Sequence, residues 1–275
     1  MGFLVWLLAI IGAIAILWKV SSIARWFIKW TLFIIVSLVS ATLPIPVMLL
    51  KPRDPRNALI PAAALRVFCN LLGIKVTVEG HENIIKDSGC VVLINHQSQL
   101  DLLVLAYLWP IMDNCTVIAK QEVFYLQPFG LAAWLWGTIY INRVKSKDAQ
   151  EAVNKTGEII RKRKARVLIF PEGTRNLGKP KLLPFKKGGF HLALASQVPL
   201  QPVVVTPYKF LKNFSFESGD VKIKILPQIR TSGRRKDDIQ DLIDESYKIM
   251  SEGVASLTSG DHQQVNGFSN GKKTD

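Results

Sequence analysis

The sequence predicts an α/β domain with a mixed, largely buried sheet flanked by helices, preceded by a hydrophobic two-helix membrane anchor. Three observations support this prediction. Residues 1–18 and residues 31–50 contain no charged side chain. Beyond residue 57, short apolar runs alternate with longer amphipathic segments. This alternation of strand-like and helical patterns is typical of a sheet with helices packed on its faces.

The two uncharged stretches have the lengths of membrane helices. Twenty helical residues reach about 30 Å, the thickness of a hydrocarbon core, so residues 31–50 are long enough to span and residues 2–18 are at the short limit. A cleaved signal peptide carries its basic residues before the apolar run, whereas Lys19, Arg25 and Lys29 follow it here. We therefore expect an uncleaved anchor, either as two full spans or as a hairpin in one leaflet.

A charged, proline-rich break over residues 51–57 ends the anchor segment 1–57, and residues 58–250 form the predicted folded domain. Residues 251–275 are rich in Ser, Gly, Asn and Gln and are predicted to be a flexible polar tail. Helices are predicted over residues 58–72, 100–107, 147–164, 189–196 and 237–250. Strands are predicted over residues 74–78, 90–94, 116–119, 139–141, 167–170, 200–205 and 221–226.

Residues 123–141 form a further uncharged segment, which has two interpretations. A third membrane span is one of them, but Pro128, Gly130 and Gly137 interrupt the run, and Trp and Tyr are plentiful in it. A span there would also separate the two polar clusters described below across the membrane. We predict an interfacial or substrate-lining segment.

The chain is basic, with 35 Lys and Arg against 21 Asp and Glu and a net charge of +14. Beside a membrane anchor, this charge favours anionic headgroups or anionic substrates. Nucleic acid is not expected as a partner, because no nucleic-acid-binding motif is present. Cys69, Cys90 and Cys115 form no CxxC pair, so we expect buried free thiols in a reducing compartment.

The first polar cluster, NHQSQLD, follows the predicted strand at 90–94. Sites of α/β folds form at the carboxyl ends of strands, which is where His96 stands. Asp101 falls at the start of the next helix, and the turn would have to bring its carboxylate back to the imidazole. A carboxylate on one ring nitrogen fixes the tautomer and leaves the other nitrogen as a base. Taken alone, the pattern fits an ordinary polar turn better.

A second cluster, FPEGTR at residues 170–175, strengthens the functional interpretation. Gly173 permits a tight turn, and Arg175 offers a planar donor fork suited to phosphate. Glu172 could bind a hydroxyl group or hold Arg175. Other basic residues near predicted strand ends or glycine pairs are Arg143, Lys186 and Lys187.

Four ordered blocks, NHQSQLD, GTIYINR, FPEGTR and VPLQPVVV, resemble the motifs of the glycerolipid acyltransferases, and specifically of 1-acylglycerol-3-phosphate acyltransferases. The resemblance spans about residues 75–230 and implies the fold of that family. Its first and third blocks are the more specific ones. It implies that His96 is the general base and that Asp101 supports it. The substrate-binding residues that it implies, together with the basic side chains above, are Lys120, Arg143, Glu172, Gly173, Thr174, Arg175, Lys186 and Pro202 or Pro199.

The resemblance also implies the reaction. His96 takes the proton of the sn-2 hydroxyl of lysophosphatidic acid while that oxygen attacks the thioester of acyl-CoA, and phosphatidic acid forms. Acyl-CoA, lysophosphatidic acid and the bilayer are the expected partners, with no metal and no cofactor. A metal site made of His96, Asp101 and Glu172 is a weaker alternative, because no paired-histidine motif supports it.

Two other functions remain open: acylation of another lysophospholipid or of glycerol 3-phosphate, and a non-catalytic protein that binds anionic lipids. The terminal residues KKTD, with Lys272 and Lys273, resemble a dilysine signal of endoplasmic-reticulum membrane proteins. We expect a cytosolic catalytic domain, and hence no glycan at the sequons of Asn114, Asn154 and Asn213.

Overall fold

The structure, a computed structural model, describes residues 2–141, 156–177, 179 and 181–267. Two long N-terminal helices precede a domain built on one mixed seven-stranded sheet, which confirms the predicted fold class. The strands of this sheet are β1 Ile74–Glu79, β2 Cys90–Ile94, β3 Cys115–Lys120, β4 Ile139–Ile141, β5 Arg166–Ile169, β6 Leu200–Val205 and β9 Gly219–Ile225. A separate hairpin consists of β7 Leu211–Lys212 and β8 Ser215–Phe216.

The strand order of the large sheet is β1-β9-β6-β2-β5-β3-β4. Neighbouring strands are parallel except for β6 and β9, which are antiparallel. The carboxyl ends of β6, β2, β5, β3 and β4 therefore lie along one edge of the sheet. Each predicted strand of the sheet agrees with the structure to within two residues at both ends.

Helices pack on both faces of the sheet. The helices of the described residues are α1 Gly2–Val20, α2 Ser22–Thr42, α3 Ile45–Met48, α4 Leu59–Leu71, α5 Asp101–Met112, α6 Gln121–Phe124, α7 Phe129–Leu135, α8 over 156–163, α9 Gly188–Ser196 and α10 Ile239–Gly267, and α1 does not pack on the sheet. One apolar core lies between the sheet and α2, α4, α5 and α7, and a second lies between the sheet and α8, α9 and α10. The beginning of the helix predicted over 147–164 lies outside the described residues.

Helices α1 and α2 are long and apolar enough to cross a membrane, by length and composition. An extended residue, Ser21, separates them, and its side chain caps α2 by accepting a hydrogen bond from the Ala24 amide. The two helices differ in burial: α1 buries no residue, whereas α2 buries Lys29, Phe33 and Ala41 against the domain. The Lys29 ammonium donates to the carbonyl of Phe216 in β8. The predicted boundary at residue 57 therefore separates segments that share one core.

Residues 123–141 do not form a third span. They fold into the end of α6, then α7 and β4, and β4 pairs in parallel with β3. The third-span alternative is thus wrong. The segment does not span because Pro128 and Gly137 break it into pieces too short to cross a bilayer.

The predicted tail boundary after residue 250 is also wrong. Helix α10 continues to Gly267, and Val254 and Leu257 are buried in the second core. Gly253 makes this packing possible, because a Cβ there would lie only 2.9 Å from Leu226 and 3.1 Å from Val204. Spaced apolar residues inside a polar segment are enough to hold the helix on the sheet. Residues 268–275 lie outside the described residues.

A truncation tests this correction. A chain that ends at Met250 loses two buried side chains worth roughly 1.5–3 kcal/mol each, so we expect a loss of about 3 kcal/mol or more in the free energy of unfolding. A chain that ends at Gly267 is the matched control and should unfold like the full chain. Thermal unfolding of the detergent-solubilised proteins measures the difference, and equal midpoints for both truncations would contradict the assigned packing.

Candidate active site

The two polar clusters meet because their strands are neighbours. β2 and β5 pair in parallel, with Leu93 opposite Ile169. The turns that follow the two strands therefore emerge side by side at the carboxyl edge of the sheet. His96 N–H donates a hydrogen bond of 2.7 Å to Oε1 of Glu172, which joins the clusters directly.

Alternate residues after β2 are fixed to the end of β6. The Asn95 side chain donates to the carbonyl of Val205 at 3.1 Å and accepts from its amide at 2.8 Å. The Gln97 side chain donates to the carbonyl of Thr206 at 3.0 Å. Because Asn95 and Gln97 are buried in these contacts, the intervening His96 is directed away from them and its side chain is 23% exposed.

Asp101 holds the imidazole of His96. Its Oδ2 lies 2.7 Å from Nδ1 of His96 and also accepts from the amides of Gln97 at 2.7 Å and Ser98 at 3.2 Å. Asp101 is the first residue of α5 and is only 3% exposed. The turn over residues 97–100 brings the carboxylate back to the ring across the spacing of five.

This geometry gives His96 the arrangement of a base. A carboxylate acceptor at Nδ1 implies that this nitrogen carries the proton, so the lone pair is on Nε2. Within the described part of the chain, Nε2 has no hydrogen-bond partner. The ring of Phe170 stacks on the imidazole, with centroids 4.1 Å apart and planes 20° apart. The stacking covers one face of the ring, while the side chain as a whole stays 23% exposed.

Glu172 supports the site from inside the protein, and direct contact of its carboxylate with a substrate stays a prediction. It is 1% exposed, and its two oxygens accept from the amides of His96 at 2.7 Å and Leu183 at 2.8 Å. Burial raises the pKa of this carboxyl, and the two amide hydrogen bonds oppose that shift. Its role is to hold the two turns together.

The three residues of FPEGTR that follow Glu172 are exposed to solvent. Gly173 has φ +68° and is exposed, as are Thr174 and Arg175. A Cβ on Gly173 would lie 3.1 Å from the side chain of Lys186, which is also exposed and so adjoins the turn. Lys120 is exposed at the carboxyl end of β3 on the same sheet edge. Arg143 lies outside the described residues.

Pro202 and Pro199 lie away from the turn that carries His96, and the prediction that one of them binds substrate stays untested. Pro202 is buried in the middle of β6, opposite Leu93 of β2. Pro199 precedes β6 at the other edge of the sheet, where its carbonyl accepts from the Val91 amide. The strand-forming character of VPLQPVVV fixes the position of the segment that follows it.

Sequence reasoning missed three contributors to the site. Phe170 is the stacking partner, and Gln97 is a buried clamp. Tyr208, which follows β6, donates from its hydroxyl to Oδ1 of Asp101 at 2.6 Å. The alternation of polar residues in NHQ gave a signal for Gln97. No spacing in the sequence pointed to Tyr208, because only the pairing of β6 with β2 brings it to Asp101.

Two cavities lie in this part of the fold, and the apolar one includes Phe170 of the site. An apolar cavity of about 270 Å³ runs from Phe170 between α4, α5 and α7 to Ser37 and Ala41 of α2. Val123, Phe129 and Trp136 also line it, in line with the substrate-lining interpretation of 123–141. A polar cavity of about 720 Å³ lies along β4 and is lined by Arg53, Gln121, Phe124, Trp134, Tyr140, Thr156, Glu158, Lys162 and Arg163, among others.

The polar cavity carries excess positive charge. Arg53 packs over the ring of Trp134 at 5.5 Å, and its guanidinium donates to the Thr138 carbonyl. Burial and the charge of Arg163 lower the pKa of Arg53. The acidic residue in the lining, Glu158, already lies 3.5 Å from Lys162. An anion would therefore be stabilised there.

The described residues do not favour a metal site or a cysteine nucleophile. These residues contain no group of three or more His, Cys, Asp or Glu side chains placed to hold a metal ion. The three cysteines are buried free thiols. Burial raises the pKa of Cys69 and of Cys90 to about 12, so both are protonated at neutral pH and are poor nucleophiles.

Comparisons with known proteins show which family the chain resembles over most of its length. A family model described as Acyltransferase matches residues 75–206. The chain is 37% identical to 1-acyl-sn-glycerol-3-phosphate acyltransferase alpha of Homo sapiens over 237 residues, which cover 83% of this chain and 81% of that protein. It is 34% identical to the beta protein of Homo sapiens, with 84% of each chain covered.

A solved structure shares the fold. The crystal structure of the 1-acyl-sn-glycerophosphate acyltransferase PlsC from Thermotoga maritima matches with a TM-score of 0.65 and 22% sequence identity. The match covers 86% of this chain and 98% of that chain. At this identity, the likeness supports the sheet and helix arrangement described above.

The enclosed position of Glu172 yields a kinetic prediction. A glutamine at residue 172 can accept only one of the two amide hydrogens, so the turn that carries His96 loosens. In Glu172→Gln we expect kcat of the acyl transfer to fall about ten-fold or more while KM for the acceptor changes little. Glu252→Gln, at an exposed position of α10 away from both turns, is the control. A raised KM with an unchanged kcat would instead indicate direct substrate contact.

Proposed function

The chain belongs to the family of 1-acyl-sn-glycerol-3-phosphate acyltransferases, and from that premise we propose that it transfers an acyl group from acyl-CoA to lysophosphatidic acid. Phosphatidic acid is the product, and in 1-acyl-sn-glycerol 3-phosphate the accepting group is the sn-2 hydroxyl. The observation that carries the proposal is the His96–Asp101 pair, in which Nδ1 of a partly exposed imidazole lies 2.7 Å from Oδ2 of Asp101.

The pair performs general base catalysis. Nε2 of His96 accepts the proton of the sn-2 hydroxyl as that oxygen forms a bond to the thioester carbon. The Asp101 carboxylate stabilises the resulting imidazolium. The bond from carbon to sulfur then breaks, and the proton passes from His96 to the departing CoA sulfur. No enzyme nucleophile takes part, so transfer is direct.

The acceptor phosphate is bound at the exposed turn that follows β5, beside His96. Arg175 and Lys186 are exposed beside the Gly173 turn and provide positive charge next to His96. The guanidinium fork of Arg175 matches two phosphate oxygens. Arg143 remains a predicted phosphate ligand, and Lys120 a predicted contact on the same sheet edge.

The apolar cavity receives an acyl chain. Its lining begins at Phe170, which stacks on His96, and ends at α2 of the anchor. A chain bound there has its carbonyl near the base and its tail against the membrane helix. Burial of each CH₂ group contributes about 0.8 kcal/mol, so the depth of this cavity favours particular chain lengths.

The polar cavity receives the nucleotide of acyl-CoA, which carries phosphates and an adenine ring. Arg53 and Arg163 supply positive charge, and Trp134 and Phe124 supply aromatic faces. β4 is three strands from β2 in the sheet, which corresponds to about 14 Å. A separation of this kind suits a donor with its nucleotide at one end and its thioester at the other.

The anchor holds this chemistry at a membrane. Helices α1 and α2 indicate membrane association, and both substrates carry long apolar chains. We assign the chain to the endoplasmic reticulum with a cytosolic catalytic domain, on the basis of its KKTD terminus. Those four residues lie outside the described part of the chain.

Replacement of the base tests the proposed reaction. In membranes supplied with oleoyl-CoA and lysophosphatidic acid, His96→Ala should lower the rate of phosphatidic acid formation by roughly 10²–10⁴. His191→Ala removes an exposed histidine of α9 and should match the wild type. A parallel assay with other lysophospholipids and glycerol 3-phosphate tests the acceptor. If wild type and His96→Ala form product equally, the proposed role of His96 is wrong.

Substitution of Arg163, measured with two acyl donors, tests whether the polar cavity binds the nucleotide of acyl-CoA. Arg163→Gln should raise KM for oleoyl-CoA about ten-fold, which corresponds to loss of one charged hydrogen bond, and leave KM for lysophosphatidic acid unchanged. With oleoyl-pantetheine, which lacks the nucleotide, the variant and the wild type should behave alike. Arg56→Gln, which removes an exposed arginine paired with Asp54, is the control. An equal loss with both donors would contradict the assignment.

A further inference from the structure

We propose that Tyr208 is a positioning residue for the catalytic pair, because its hydroxyl holds one oxygen of Asp101 and so directs the other oxygen to His96. The proposal rests on the proposed function, in which His96 is the base. It concerns a residue outside all four sequence blocks.

The two oxygens of Asp101 have separate partners. Oδ1 accepts from the Tyr208 hydroxyl at 2.6 Å, and Oδ2 lies 2.7 Å from Nδ1 of His96. Rotation of the carboxylate would break the hydrogen bond at Oδ1, so Tyr208 opposes any movement of Oδ2 away from the imidazole. Both Asp101 and Tyr208 are buried, at 3% and 5% exposure, and a hydrogen bond between them is little weakened by solvent.

Tyr208 is itself held in place by the same turn. Its amide donates to Oε1 of Gln97 at 3.3 Å, and the Gln97 amide donates to Oδ2 of Asp101 at 2.7 Å. The Gln97 side chain also donates to the carbonyls of Val205 and Thr206. The end of β6 and the turn after β2 thus form a closed network around the carboxylate. Tyr208 completes that network on the side away from His96.

The protonation of the network is well defined. Burial and the adjacent Asp101 charge raise the pKa of Tyr208 well above its ordinary value, so the hydroxyl remains a donor throughout the assay range. The other titratable groups facing the pair within the described residues are Glu172, from the turn after β5, and Cys69, from α4. Both are unchanged by a substitution at Tyr208, so a difference between two pH profiles reports on Tyr208.

Tyr208→Phe keeps the ring and removes the hydrogen bond. We expect kcat to fall about ten-fold or more, with KM for both substrates within about two-fold of the wild type. Without the Tyr208 hydroxyl, the Asp101 charge is less dispersed and stabilises the imidazolium of His96 more strongly. The acid limb of the kcat/KM profile should therefore move to higher pH.

A control and a second background separate positioning from folding. Tyr247→Phe removes a hydroxyl that donates to the Leu182 carbonyl in the second core, and it should leave kcat and the pH profile unchanged. In an Asp101→Asn background, Tyr208→Phe should have less than about a two-fold further effect, because its action passes through Asp101.

Three outcomes overturn the proposal while leaving the proposed function intact, provided that wild type is active and His96→Ala is not. They are a Tyr208→Phe enzyme with the kcat and pH profile of the wild type, a loss that is fully additive with Asp101→Asn, and an equal loss in Tyr247→Phe. Absence of activity in the wild type would instead count against the proposed function.

Discussion

The site depends on the position of β2 between two parallel neighbours. β5 on one side leads to Phe170 and Glu172, and β6 on the other side leads to Tyr208. Each strand delivers its turn to the same edge of the sheet, and the three turns exchange hydrogen bonds through buried side chains. A shift of one residue in either pairing would turn these side chains to the opposite face. The registers of β2 therefore decide whether a catalytic pair exists.

Two buried carboxylates make that edge rigid, and they do so in different ways. Glu172 accepts from two backbone amides and joins turns that are far apart in the sequence. Asp101 accepts hydrogen bonds from the amides of its own turn and from the Tyr208 hydroxyl, and its Oδ2 also lies beside Nδ1 of His96. Burying a carboxylate without partners would cost several kcal/mol. Because each oxygen is satisfied, the same groups that stabilise the turn also orient the imidazole.

The anchor and the site are coupled through packing. Lys29 of α2 reaches the hairpin that follows Tyr208, and Ala41 of the same helix lines the apolar cavity that begins at Phe170. A helix that served only as a tether would bury no side chain in the domain. Here α2 forms part of the first core, so one apolar helix belongs both to the predicted anchor and to the wall of the cavity that Phe170 lines. Substrates with long apolar chains would reach the base along that wall.

The sequence by itself determined the strands of the sheet and the pairing of His96 with Asp101. Apolar runs located the strands of the sheet to within two residues, because burial on both faces requires continuous hydrophobic character. The blocks NHQSQLD and FPEGTR placed His96 and Asp101 correctly as a pair at a strand end.

Tertiary structure decided the roles of the supporting residues. Glu172 and Pro202 carry no local signal that separates contact with a substrate from contact with the backbone, and only the fold encloses them. Tyr208 stands 107 residues from Asp101, so its contribution depends on the neighbourhood of β6 and β2. In the sequence, Val254 and Leu257 belong to a segment of mostly polar residues. They are buried only because distant segments form the second core, which provides the surface on which they pack.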